Sequence, residues 1–90
     1  MKLGQVVMTR GIAEAVRTNN DFSLFVTYSM MRFCKEDWGD LPREDKRMND
    51  SAVKNNDDRI VARYNSEYGD IYIITEWDRS YTTMLFTHEY

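Results

Sequence analysis

The clearest pattern of apolar and polar positions lies between residues 21 and 35. Apolar side chains recur there every three or four residues, the period of an α-helix with one buried face. A second apolar stripe runs along another face of the same predicted helix. A helix that is apolar on two faces is either deeply buried or offers one face to a partner, so the pattern permits a homodimer without requiring one. The first stripe is Phe22, Phe25, Val26, Ser29, Met30 and Phe33, and the second is Leu24, Tyr28 and Met31.

Shorter elements flank this helix and are separated by turn residues. Asn20 or Asp21 is a suitable N-cap for it, Gly39 suits its termination, and Pro42 suits the first turn of a third helix that runs to about Asn55. The predicted elements are a strand at 4–8, helices at 11–18, 21–35 and 42–55, and strands at 59–65, 71–77 and 81–87.

The three C-terminal strands differ in their patterns. Residues 59–65 alternate between apolar and polar positions, whereas residues 71–77 are apolar on both faces and therefore belong in the centre of a sheet. Short turns at 66–70 and 78–80 connect them, which favours antiparallel neighbours. We therefore predict one α+β domain, residues 1–90, with the order β-α-α-α-β-β-β and a C-terminal three-stranded antiparallel meander covered by helices.

Composition narrows the class of protein. The chain has 90 residues, of which 42% are hydrophobic and 30% are charged, and this mixture is typical of one small globular domain. The N-terminus has no apolar run long enough for a signal peptide or a membrane helix, so we expect a cytoplasmic protein with no membrane partner. Cys34 is the only cysteine and His88 the only histidine, which excludes an intrachain disulfide and a Cys/His zinc site.

Candidate catalytic groups are sparse. Cys34 and His88 are the only possible thiol–imidazole pair, and each falls near the end of a predicted element. The carboxylates of the middle segment lack the spacing of an EF-hand loop, and no glycine precedes a Lys-Ser/Thr pair. We therefore expect no enzyme activity, no catalytic residue, no metal and no cofactor. A small active site built from the middle carboxylates is the remaining enzymatic alternative.

Charge is distributed unevenly along the chain. The net formal charge is −3, but residues 1–35 carry a basic excess, whereas residues 36–58 contain eight acids and four bases, and residues 67–90 contain five acids and one base. An acidic face made by these two segments would engage a basic groove. An ordinary solvated surface accounts for the same counts. The overall acidic balance disfavours direct binding of nucleic acid.

Aromatic residues are concentrated near the C-terminus. Five of the six tyrosines lie between residues 64 and 90, together with Trp77 and Phe86. Exposed aromatic side chains among acids are typical of protein-recognition surfaces, although the same residues are also good strand formers. The candidate partner-binding residues are Asp37, Trp38, Asp40, Glu44, Asp45, Asp57, Asp58, Tyr72, Glu76 and Asp78.

Three stretches of the chain carry a family resemblance. They are Leu3–Ala13, Asp37–Leu41 with Glu44-Asp45-Lys46, and Ile73–Ser80 continuing through Thr82–Phe86. Together they resemble a family of small proteins on plasmids and conjugative elements of Firmicutes. The chain departs from that family at Glu36-Asp37, where Gly-Asp is expected, and at its last four residues, where Pro-acid-Glu-Tyr is expected.

The resemblance implies a role on a mobile genetic element. Small proteins of plasmids and phages often counter host defence, and anti-CRISPR proteins commonly do so as stoichiometric acidic decoys. On that analogy we expect a non-enzymatic inhibitor of a host protein or ribonucleoprotein complex, with a CRISPR effector as the expected target. The alternative is an accessory or regulatory protein of the element. It would act through protein contacts or through weak DNA binding by Arg10, Arg17, Arg32 and Lys35.

Overall fold

The computed structural model describes residues 1–90 and contains three α-helices and four strands, which confirms the α+β class and the predicted order of elements. None of the helices combines the length and apolarity that are needed to cross a bilayer. The elements are β1 (Gln5–Met8), α1 (Arg10–Thr18), α2 (Asn20–Cys34), α3 (Arg43–Asn55), β2 (Ile60–Tyr64), β3 (Ile71–Thr75) and β4 (Tyr81–Phe86), followed by a 3₁₀ turn at Thr87–Glu89.

The four strands form one mixed sheet in the order β1-β4-β3-β2. β2, β3 and β4 are antiparallel neighbours, but β1 joins the sheet parallel to β4. The Gln5 amide donates to the Ser80 carbonyl at 3.1 Å, and the Thr9 amide donates to the Met84 carbonyl at 3.0 Å. The predicted three-stranded antiparallel meander is therefore confirmed for β2, β3 and β4, but the sheet as a whole is mixed, because β1 adds a parallel strand beside β4. A short strand pattern fixes which face is buried, but it does not specify the neighbouring strand.

The core lies between one face of the sheet and the helices α1 and α2. Both helices begin at side-chain caps, since Thr9 Oγ1 accepts from the Ile12 amide and Asn19 Oδ1 accepts from the Phe22 amide. The first apolar stripe of α2 faces this core, as predicted, whereas the second stripe is exposed. The principal core residues are Ile12, Phe22, Val26, Phe33, Ile60, Ala62, Tyr64, Ile71, Ile73 and Met84.

The β2 edge of the sheet is sealed by other parts of the chain. The buried side-chain amide of Asn49 on α3 donates to the Val61 carbonyl at 2.8 Å and accepts from the Val61 amide at 3.2 Å. One step along the strand, the Arg63 amide donates to the Trp38 carbonyl, and the Arg63 carbonyl accepts from the Asp40 amide. This edge therefore has no free backbone groups at these positions for pairing with another chain.

Gly39 allows the segment 38–40 to approach the backbone of Arg63 closely enough for these hydrogen bonds. Its φ is +78°, and a Cβ added there would lie 2.0 Å from the Arg63 carbonyl oxygen. Only glycine adopts this conformation and allows so close an approach without strain.

A buried arginine joins α3 to the turn between β3 and β4. Arg79 is 6% exposed, and its guanidinium donates to five backbone carbonyls at 2.6–3.2 Å. Two of the acceptors belong to the β3–β4 turn, and three belong to the end of α3 and the loop that follows it. The cation also lies at a helix C-terminus, where positive charge is favoured. The acceptors are Ala52, Asp57, Asp58, Glu76 and Trp77.

We predict that Arg79→Met lowers the free energy of unfolding by at least about 3 kcal/mol, because it removes the five hydrogen bonds that the buried guanidinium donates to backbone carbonyls. Urea denaturation followed by circular dichroism measures this loss. Arg79→Gly is a second variant for comparison. Arg79 has a φ of 60°, and glycine removes the guanidinium while also relieving the backbone strain at this position. A glycine variant as stable as the wild type would show that the guanidinium contributes little.

Candidate functional site

The face of the sheet opposite α1 and α2 carries a mixed apolar and aromatic surface, which we call the open face. Its residues alternate with the core positions along each strand. Tyr72 lies between Arg63 and Leu85, and Ile74 lies between Val61 and Thr83. Ile74 and Leu85 are buried there, whereas the other strand residues of this face are partly exposed. The strand residues of the open face are Val61, Arg63, Tyr72, Ile74, Thr83 and Leu85, and the open face also includes the residues that line the two clefts described next.

Two clefts are formed on the open face. The first, of about 320 Å³, lies where α3 meets β2 and β3, and its lining includes Asp45, Asp58 and Tyr72. The second, of about 450 Å³, crosses β3 and β4, and its lining includes Glu76 and Tyr81. Both clefts are also lined by Arg59 and Tyr90, so they form two halves of one concave surface.

The C-terminal residue helps to shape this surface. The Tyr90 ring contacts the Tyr72 ring edge-on, with the centroids 5.5 Å apart, and Arg59 lies 5.5 Å from the centre of the Tyr90 ring. The preceding Glu89 holds the turn, because its Oε1 accepts from the Phe86 amide and the Thr9 hydroxyl, each at 2.8 Å. The carboxylate of Glu89 therefore directs the last aromatic ring back over the sheet.

Tyr72 also lies beside an arginine that is paired with a carboxylate. The Arg63 guanidinium lies 5.7 Å from the centre of the Tyr72 ring and forms a 3.0 Å ion pair with Asp70. The hydrogen bond from Arg63 to Asp70 raises the pKa of the guanidinium above its usual value, so the cation stays charged. The Tyr72 ring therefore contacts both Arg63 and Tyr90, which restrict its orientation.

Several predicted acidic residues are brought together near these clefts. Asp57 and Asp58 follow α3, and Glu76 and Asp78 belong to the β3–β4 turn. The guanidinium of Arg79 holds these two segments together, since it donates to the backbone carbonyls of Asp57, Asp58 and Glu76. Asp78 accepts from the Ser80 amide at 3.0 Å, and bonding to Ser80 lowers the pKa of this carboxyl. None of the four forms an ion pair within the chain, and neither does Asp45.

The remaining predicted residues lie elsewhere. Asp40 belongs to the segment that seals β2, and its carboxylate accepts from the Asn65 amide at 2.9 Å. Asp37 forms a 2.7 Å ion pair with Arg32 at the end of α2. Glu44 is exposed on α3 but lines neither cleft.

The burial of Trp38 contradicts its predicted role as a partner contact. Its side chain is 3% exposed, packs edge-on against Phe33, and donates from Nε1 to Asp50 at 2.8 Å. It is a core residue, because its indole completes the packing under the sealed edge, and it offers no ring surface to a partner. Trp77, in contrast, is 67% exposed in the β3–β4 turn.

The other candidate chemistry is dispersed. Cys34 is exposed at the end of α2, whereas the His88 ring stacks on Phe86 beyond β4. No three His, Cys, Asp or Glu side chains are arranged so that they could hold a metal ion. Of the four basic residues in the alternative DNA-binding set, Arg17 is paired with Glu14 and Arg32 with Asp37.

Sequence reasoning missed part of the open face. Arg59 is the first residue of the predicted alternating strand 59–65, so the alternation contained a signal for its position on the same face as Val61. Tyr81 and Tyr90 belonged to the aromatic cluster that the sequence identified, but they were not among the proposed contacts. The return of Tyr90 over Tyr72 depends on the turn held by Glu89, and no periodic pattern predicts such a turn.

Comparison with known proteins gave no match: no family model, curated protein or solved structure aligns significantly with this chain.

The ion pair of Arg32 and Asp37 predicts a measurable pH dependence. The hydrogen bond from Arg32 lowers the pKa of Asp37 below its ordinary value, so the pair contributes stability above the ordinary carboxyl pKa and loses it as the pH falls through the lowered value. Because both side chains are partly exposed, we expect Asp37→Asn to lower the free energy of unfolding by only about 0.5–1 kcal/mol near neutral pH. Below the lowered pKa, where Asp37 is protonated in the wild type, we expect a much smaller loss.

Urea unfolding near pH 7 and in increasingly acidic buffer tests this expectation. Glu36→Gln is the control, because the adjacent Glu36 forms no ion pair. A loss of stability in Asp37→Asn that stays constant with pH would contradict the assignment.

Proposed function

We propose that this protein is a non-enzymatic inhibitor that binds a host defence complex through the open face and its clefts. The observation that carries the proposal is the grouping of carboxylates without basic partners around preorganised tyrosines. Asp45 and Asp58 line the first cleft and Glu76 lines the second, with Tyr72, Tyr81 and Tyr90 among the residues beside them.

The chemistry of this surface fits a basic partner. Unpaired carboxylates attract Lys and Arg side chains and accelerate encounter, whereas tyrosines supply contact area with little loss of side-chain freedom. The carboxylates of the two clefts disfavour phosphate, although Arg59 lines both clefts. The open face is therefore suited to a groove that a complex normally uses to hold nucleic acid, and occupying that groove would inhibit the complex without any reaction.

The choice of target class follows from the resemblance of the sequence to small proteins of plasmids and conjugative elements. Such elements are attacked by host defences that recognise foreign DNA. Guide-loaded CRISPR effectors hold their heteroduplex in a positively charged channel, which is the kind of groove that an acidic surface complements. We therefore propose a CRISPR effector as the target.

A mobile-element accessory protein is the second candidate. Weak DNA binding by the N-terminal bases would require them to be available for phosphate. Two of the four are paired with carboxylates in the same region, which leaves Arg10 and Lys35. The acidic open face therefore has the stronger structural support.

The direct test is target-DNA cleavage by a purified, guide-loaded Cas9-type effector in the presence of increasing amounts of this protein. We expect inhibition that saturates near one protein per effector and weakens as salt concentration rises. No inhibition at a large molar excess, together with retention of duplex DNA in low salt, would favour the accessory protein.

Adjacent acids on α3 provide a matched pair of charge reversals. Asp45 lines the first cleft and Glu44 does not, although both lie in the first turn of the same helix. We predict that Asp45→Lys slows association with the effector roughly tenfold at low salt, and that Glu44→Lys has a much smaller effect.

Both reversals change the net charge equally and remove one acid from the N-terminal end of α3, so unfolding measurements should show similar costs. Equal slowing by the two variants would mean that only net charge matters, and it would contradict a binding site in the cleft.

A further inference from the structure

The two edges of the sheet differ in whether their outward backbone groups form hydrogen bonds. At the β2 edge, Asn49 and the segment 38–40 bond to the outward backbone groups of Val61 and Arg63. At the other edge, β1 has a neighbour only on the β4 side. Open edges are uncommon without a device that prevents pairing, so the β1 edge requires an explanation.

The backbone of β1 presents unpaired groups in register. The Gln5 and Thr9 amides donate to β4, and strand alternation therefore directs the amides and carbonyls of Val6 and Met8 away from the sheet. No side chain or loop bonds to these four groups. They form two donors and two acceptors along one short, straight edge.

Although β1 is short, none of its side chains discourages pairing. Residues 4–9 contain no charged side chain and no proline, the usual features that block an edge. The side chains of Val6 and Met8 point to the helix side of the sheet and are 44% and 42% exposed. Beside them lies an apolar cleft of about 490 Å³, whose lining includes Met8, Met30, Met31 and Met84.

We propose that a second copy of this chain occupies the β1 edge, with the two β1 strands antiparallel about a twofold axis at Val7. Val6 of each copy then lies opposite Met8 of the other, and their backbones exchange four hydrogen bonds. Every outward amide and carbonyl of both residues is satisfied, and the result is a continuous eight-stranded sheet.

The side chains of β1 support pairing with a second copy of the chain in this register. On the helix side, Val6 faces Met8 of the other copy, so each apolar side chain meets another apolar side chain beside the methionine-lined cleft. On the opposite side, Val7 faces Val7. No like charges are placed opposite each other, since Arg10 lies beyond the paired segment and opposite Gly4. The surface is therefore complementary to itself, as a twofold interface requires.

The proposed dimer does not depend on the proposed inhibitory function. The clefts of the open face are built mainly from α3, β2, β3 and β4, and their linings contain no β1 residue. Failure of one proposal therefore leaves the other intact. Because the paired strands are short, we expect a dimer with a dissociation constant in the micromolar range.

Sedimentation equilibrium from about 1 μM to about 1 mM measures the association. We expect the mass to rise from 10.7 kDa toward twice that value. Val6→Lys should remain monomeric with an unchanged circular dichroism spectrum, because a lysine at the edge blocks pairing but can extend into solvent in the monomer. Met48→Lys is the control, since Met48 is 60% exposed on α3 at the other edge. A wild-type monomer at every concentration would overturn the proposal.

Disulfide trapping tests the register even if Val6→Lys destabilises the fold. In a Cys34→Ser background, Val7→Cys places two thiols at a non-hydrogen-bonded antiparallel pair with Cα atoms about 4.5 Å apart, within the range of a disulfide. Gln5→Cys, under the same oxidation, places the thiols about 13 Å apart. We expect a covalent dimer only from Val7→Cys. Equal trapping of both variants, or of neither, would contradict the register.

Discussion

The guanidinium of Arg79 is the interaction on which the arrangement of this small domain depends. It is buried without a carboxylate partner and donates instead to five backbone carbonyls from two separate segments. A buried cation is tolerated only when its donors are satisfied, so the end of α3 and the β3–β4 turn must stay together. This contact complements the pairing of Asn49 with β2. The two contacts fix α3 beside the sheet, and α3 in turn forms one wall of the first cleft.

The same interaction links stability to the proposed function. The backbone carbonyls of Asp57, Asp58 and Glu76 point to the guanidinium, and none of their carboxylates is held in an ion pair. One buried positive charge thus organises an acidic surface by using backbone acceptors rather than the acidic side chains. The net charge of the exposed surface at this end of the domain therefore remains negative, which is the property that steering toward a basic partner requires.

The sequence predicted the elements better than it predicted their arrangement. The period of α2 identified Phe22, Val26 and Phe33 as core residues because burial follows helical spacing directly. The parallel docking of β1 and the burial of Trp38 both depend on contacts between residues distant in sequence, and local patterns do not encode such contacts. The acids near the clefts were identified from composition, but their grouping could not be, because Arg79 was assigned only to a turn.

The most direct test of the account is an NMR titration of the isotopically labelled protein with a short oligolysine peptide at low and high salt. We expect amide shifts to change mainly at Asp45, Asp58, Glu76, Tyr72 and Tyr90, and we expect these changes to fall as salt screens the carboxylates. Shift changes spread evenly over all exposed acids, or concentrated around Asp37 and Asp40, would contradict the conclusion that the open face is the binding surface.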